Sequence, residues 1–192
     1  QALLMATYKI VVTGTYAAGK SVFIRNASEI EVVETEAPVS DPYERQLKAF
    51  TTVGLDFGVL HIDKEHHLFL FGTPGQERFD FMWEHLAIGC LGYVVLVDSC
   101  RPADFGPTSR LIRRFAEITS APFVVAANKQ DALGALPPDY IHMRLGLPDS
   151  IPVLPCIAHE MSSVHAVLFA LLDRIEALSA AAPDVGDASS PD

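Results

Sequence analysis

Cysteine is scarce in this chain of 192 residues: Cys90, Cys100 and Cys156 are the three present, and no two stand at CxxC spacing. That excludes a disulfide framework and a thiolate zinc site, and a reducing cytoplasm is the expected location. No apolar stretch reaches the ~18 residues read as a membrane span, and no charged leader precedes a long apolar segment. Basic charge is short too: 14 Lys and Arg face 24 Asp and Glu, a formal charge of -10. Nonspecific attraction to nucleic acid or anionic lipid is therefore disfavoured. No glycine follows Met5 and the chain ends SSPD, so a direct lipid anchor is not expected and any membrane attachment would go through a partner. Gln1 to Leu4 read as residues carried over from an expression vector.

What is present suits one compact domain. Apolar residues make up 49% of the chain and charged residues 20%, enough for a sizeable core; the domain is expected over 5–179, with a disordered tail at 180–192 (AAAPDVGDASSPD) that has little to bury. Four apolar runs without alternation, YKIVVT (8–13), GYVVLVDS (92–99), PFVVAAN (122–128) and IPVLPC (151–156), predict strands covered on both faces. Helical spacing appears in Leu111, Phe115 and Ile118 after a start at Pro107 and Thr108. It recurs from Val164 to Leu178 in a helix begun by Ser162 or Ser163. The runs 52–63 and 66–72 are separated only by Lys64 and Glu65, too short for a parallel crossover, so they predict an antiparallel hairpin. The expected sheet is mixed, five strands parallel and one antiparallel. The weakly periodic stretch 29–50 reads as a functional loop.

GTYAAGKS at 14–21 satisfies GxxxxGK[ST] through Gly14, Gly19, Lys20 and Ser21. A loop of this form turns backbone N–H groups around a polyphosphate, Lys20 adds positive charge, and the Ser21 hydroxyl suits Mg2+. A strand before it and a helical stretch, KSVFIRNA, after it supply the required context. Further on, NKQD places Asn128, Lys129 and Asp131 after a strand. The Asp131 carboxylate is fitted to accept from guanine N1–H and the N2 amino group, a donor pair that adenine lacks. Asn128 is expected to tie this loop to the phosphate loop, and the Lys129 stem to cover the base. Ala158, in PCIAHE, is small enough for a backbone N–H to approach guanine O6, with His159 beside it.

The order GTYAAGKS, TTVGLDF, TPGQERF, NKQD and IAH resembles the Ras-like small GTPases from residue 8 to about 178, with GQERF similar to Rab- and Arf-like members. The resemblance implies a P-loop G domain, an α/β fold with helices on both faces of a six-stranded sheet and nucleotide at the carboxyl ends of the strands. It implies Mg2+ as cofactor and GTP and GDP as substrate and product. The nucleotide-contacting run would include Ala17, Ala18 and Val22 as well as Gly75. Thr52 best matches the threonine that reports the γ-phosphate and binds Mg2+ with Ser21, its neighbour Thr51 being the alternative, and Gln76 matches the glutamine that orients attacking water; Thr52, Gln76 and Lys20 are the candidate catalytic residues. Turnover without a partner is expected to be slow. Arg45 and Arg78 are candidate arginines in cis, but exposed arginines on loops usually face solvent or a partner.

One departure stands out. Where the family carries the aspartate of the Mg2+ water shell, this chain has Gly72, followed by Thr73, Pro74 and Gly75. A proline before the glycine, with the aspartate lost, is similar to the bacterial gliding-motility (MglA-like) branch. That branch implies effector and regulator proteins, among them a roadblock-domain activating protein. Two other functions compete: a GTP-binding scaffold with negligible hydrolysis, motivated by Gly72, and a P-loop kinase or ATPase, which gives no reason for NKQD. The histidines at 61, 66 and 67 read as a solvated hairpin rather than a metal site, and Trp83, Phe79 and Phe81 as either core or partner surface.

Overall fold

The computed structural model describes residues 6–32, 37–38, 50–51, 55–74 and 81–181. Along the chain run β1 (Ala6–Gly14), α1 (Lys20–Ala27), a ribbon of β2 (Ala37–Pro38) with β3 (Phe50–Thr51), the hairpin β4 (Phe57–His61) and β5 (His66–Gly72), then α2 (Phe81–Ala87), β6 (Gly92–Asp98), α3 (Phe105–Ile118), β7 (Phe123–Asn128), α4 (Pro138–Leu145), β8 (Val153–Pro155) and α5 (Met161–Ala181). The main sheet has the order β4-β5-β1-β6-β7-β8. Within this sheet only the β4–β5 pair is antiparallel; β1–β5, β1–β6, β6–β7 and β7–β8 are parallel. This is the mixed sheet expected from the two-residue spacer at 64 and 65.

The unbroken apolar runs are explained by burial on both faces. Ile10 and Val12 of β1 and Val94 and Leu96 of β6 join Phe23, Ile24, Val164, Val167 and Leu171 from α1 and α5. Val11, Tyr93, Val95 and Val97 point the other way, into a layer with Trp83, Phe115 and Ile141 from α2, α3 and α4. Trp83 is therefore core: its ring centroid lies 5.7 Å from that of Phe115 and its Nε1 donates to the Pro74 carbonyl at 3.4 Å. Phe79 lies outside the described residues.

Three helix boundaries differ from the sequence expectation. Helix α3 starts at Phe105, so Pro107 sits inside its first turn, where a missing N–H costs nothing. Helix α5 starts at Met161, ahead of the expected serines, with the Val164 N–H bonded to the Glu160 carbonyl at 3.0 Å; the Ser163 hydroxyl instead accepts the Ile157 N–H at 2.8 Å, tying down the preceding loop. The same helix continues through Ala181, two residues past the expected domain end at 179. Helix α4 was not foreseen; it carries Pro138 in its first turn and Gly146 as a left-handed cap with φ 64°, the pairing that brackets short helices. No described helix is long and apolar enough to cross a membrane. At the hairpin, His66 meets Asp63 and His61 meets Glu29. Among the described residues no three His, Cys, Asp or Glu side chains cluster as a metal site.

Candidate functional site

Strand β1 lies between β5 and β6, and the chain leaves it first toward the hairpin side and returns to the other side. Open α/β sheets bind ligands at such a reversal, beyond the carboxyl ends of the strands. The loops after β1, β7 and β8 all emerge there, and they carry GTYAAGKS, NKQD and IAH respectively.

The loop from 14 to 19 holds three residues at positive φ: Gly14 at 146°, Ala17 at 62° and Gly19 at 105°. Such alternation turns successive N–H groups to one side, forming an anion-binding nest. The chain needs glycine at both ends of it. A Cβ on Gly14 would lie 2.4 Å from the Leu96 carbonyl oxygen, and one on Gly19 would lie 2.3 Å from Asn128 Nδ2. Gly19→Ala therefore displaces Asn128 from the loop and strains the backbone at once. We expect a loss of about 2 kcal/mol in stability and at least tenfold weaker nucleotide binding, read by thermal unfolding and by titration with GDP.

Lys20 is nearly buried, at 8% exposure, and its Nζ donates to the carbonyls of Gly14 and Thr15, both at 2.8 Å. Burial pulls its ammonium down from 10.5 to about 8, with the Asp56 carboxylate opposing the fall. A polyphosphate over the nest would favour the charged form. The Thr15 hydroxyl oxygen is buried with no hydrogen-bond partner, a polar group of the same loop that a phosphate could satisfy.

Asn128 is the joint of the site. Its Nδ2 donates to the Ala18 carbonyl at 2.8 Å and its Oδ1 accepts the Ala158 N–H at 2.9 Å, so one buried amide fastens the phosphate loop, the NKQD loop and the loop after β8. The first bond is the tie expected from the sequence. The second engages the Ala158 N–H, the group expected from the sequence to approach guanine O6. Lys129 adopts a left-handed backbone with φ 67°, and its ammonium rests on Asp98 Oδ2 at 2.5 Å. Asp98, buried at the end of β6, escaped the sequence reading; an acid closing the run VVLVD was its signal. Gln130 Nε2 donates to Ser99 Oγ and the Leu136 carbonyl, which fixes the loop from behind.

Between these loops opens a cavity of about 280 Å3 lined by Gly19, Val22, Asn128, Lys129, Asp131, Ala132, Ala158 and His159. Asp131 stands at its mouth with His159 Nε2 3.6 Å from its Oδ2. A second cavity of about 320 Å3 lies over Tyr16, Ala17, Gly19, Lys20, Ser21 and Val22. The two share Gly19 and Val22, so a base in the first and phosphates in the second can belong to one ligand. Thr52, Gly75, Gln76, Arg45 and Arg78 lie outside the described residues.

Gly72 ends β5, where its N–H donates to the Asp56 carbonyl at 2.8 Å. Asp56 immediately precedes β4 and its side chain, 5% exposed, accepts from Ser21 Oγ at 2.6 Å. Sequence reasoning passed over this carboxylate. The oxygen donors at this point are hard, the kind that Mg2+ takes; Ser21 would hold the ion together with phosphate oxygens, and the ion would neutralise phosphate charge.

The fold is similar to that of a solved small GTPase, Arl6 (BBS3) of Trypanosoma brucei with bound nucleotide analogue GppNp. The TM-score is 0.67 at 17% identity over 90% of this chain and 99% of that one. An uncharacterized protein of Methanocaldococcus jannaschii is 31% identical over 124 residues, 64% of this chain and 70% of that protein. A family model described as conserved hypothetical ATP binding protein matches residues 30–173, a span that takes in Asp56, Asn128 and Asp131 but begins after the phosphate loop. The chain belongs to this family of conserved hypothetical ATP binding proteins.

Proposed function

We propose that the protein is a guanine-nucleotide switch that binds GTP with Mg2+ and hydrolyses it slowly to GDP, its switch segments around Thr52 and Gln76 being read by effector and regulator proteins in the cytoplasm. The observation that carries this reading is Asn128, which joins the phosphate nest to a base cavity with Asp131 at its mouth. The family description names ATP, and ATP over the same nest is the second reading. Asp131 favours guanine, because a carboxylate meets two donors on that base and none on adenine's corresponding edge.

Hydrolysis is assigned to Gln76 and Thr52 on the resemblance alone. Phosphoryl transfer relies on positioning and charge stabilisation, so Lys20 and the nest would hold the phosphates while Gln76 orients water. The expected rate is slow until a partner adds a charge, which typically brings ~10³ to 10⁵. A roadblock-domain protein of the gliding-motility kind is the regulator we would test first. A nucleotide-binding scaffold without hydrolysis was motivated by Gly72, and the carboxylate of Asp56 beside that glycine weakens the motive.

Single-turnover chromatography of preloaded GTP with Mg2+ tests the assignment. We expect slow GDP formation by the unmodified protein and at least tenfold less by Gln76→Ala. Equal rates for the two proteins would remove Gln76 from the mechanism, and no GDP from either would favour the scaffold.

A further inference from the structure

We propose that Asp56 is the protein's carboxylate for the nucleotide-bound Mg2+, transposed by one strand from position 72. This rests on the reading that a nucleotide polyphosphate lies over residues 14–21.

The hairpin register makes the transposition possible. Phe57 pairs with Phe71 and Gly58 with Leu70, so the next position outward sets Asp56 against Gly72, and the Gly72 N–H bonds to the Asp56 carbonyl at 2.8 Å. Directly opposed residues of an antiparallel pair project to the same face with their Cβ atoms about 5 Å apart. A carboxylate on residue 56 therefore reaches the space that one on residue 72 would occupy. The glycine shows that it does: a Cβ built on Gly72 lies 3.1 Å from both Asp56 Cβ and Asp56 Oδ2, and 2.8 Å from Ile24 Cδ1. Gly72 thus makes room for the acid rather than merely lacking one.

The partner atom points to a cation. Ser21 is the position in GxxxxGK[ST] whose hydroxyl binds Mg2+, and in P-loop proteins the ion sits between that hydroxyl and one acidic side chain. Here Ser21 Oγ touches one carboxylate, Asp56 Oδ2, at 2.6 Å. A buried acid next to a phosphate nest is repelled by the ligand unless a cation lies between them. Lys20 is held on the Gly14 and Thr15 carbonyls and also feels the Asp56 carboxylate; a divalent ion between acid and phosphates would supply the further charge that a polyphosphate brings a need for. The competing account is that Asp56 only orients Ser21 as a structural acceptor. Asp56→Asn separates the two, because an amide oxygen keeps the acceptor and loses the charge.

The probes are fluorescent GDP and fluorescent ADP, with Mg2+ itself titrated in EDTA-buffered solution, and the readout is the rate of nucleotide release. We expect Mg2+ to slow release from the unmodified protein, and the Mg2+ concentration at half effect to rise about 10- to 100-fold in Asp56→Asn; cooperative thermal unfolding of the variant shows that it is folded. An unchanged half-effect concentration in Asp56→Asn would overturn the proposal and leave the nucleotide reading standing. If ADP binds in place of GDP, the guanine reading falls, and the Mg2+ titration is judged on ADP by the same criterion. Binding of neither nucleotide overturns both.

Discussion

Asp131→Asn is expected to weaken GTP binding by about 10³-fold or more, because it converts a paired acceptor into an amide that presents a donor to a donor. Loss of matched polar pairing in a site built for it costs factors of about 10⁴ to 10⁵ in the best discriminated cases; the partial exposure of Asp131, 43%, places this site below that limit. The same amide suits a base with a carbonyl in place of the guanine N2 amino group, so XTP should gain relative to GTP. The neighbouring anchors are independent of the substitution, since Asn128 and Lys129 are held by Ala18, Ala158 and Asp98. Competition titration with GTP and XTP reads the exchange. A variant that keeps its GTP affinity would mean that Asp131 does not face the base.

The second large effect is expected at Gly72. Restoring the aspartate that the small-GTPase resemblance leads one to expect there, Gly72→Asp, should damage the protein. The added Cβ meets buried Ile24 at 2.8 Å and Asp56 at 3.1 Å, and two carboxylates would then share one buried space. We expect a loss of about 3 kcal/mol in stability from overpacking and like-charge contact, measured by denaturant unfolding. Emptying the opposite position should repair it: Asp56→Gly combined with Gly72→Asp returns the carboxylate to one copy on the other strand, and should recover most of the lost stability. Additive losses in the double variant would mean that the two positions do not compete for the same volume. The cycle is informative because the residues are cross-strand neighbours, where coupling is expected.

Much of the fold was legible because burial on both faces leaves a plain mark. YKIVVT, GYVVLVDS and PFVVAAN read as strands without alternation, and the two-residue spacer at 64 and 65 marked the one antiparallel pair described in the six-stranded sheet. Helix α4 was missed because an eight-residue helix with buried Ile141 and Leu145 carries too little periodicity to stand out; its bracketing Pro138 and Gly146 were the available signal. The phosphate nest and the Asn128 tie were readable from residue type, since a GxxxxGK[ST] loop and a following NKxD each have a physical reason for their spacing. Asp56 was not, because a lone acid before a strand has many ordinary uses. Its meaning appears only when the hairpin register sets it against Gly72, a long-range relation that residue type does not carry. Lys129 likewise read as a cover for the base, whereas the fold also gives it a buried partner in Asp98.

The most direct test of the account is displacement of a fluorescent guanine nucleotide from the purified protein by GTP and by ATP at matched Mg2+. The account predicts that GTP displaces it at concentrations at least 10³-fold lower than ATP. Equal displacement by the two would contradict it, and would return the chain to the adenine nucleotide that its family description names.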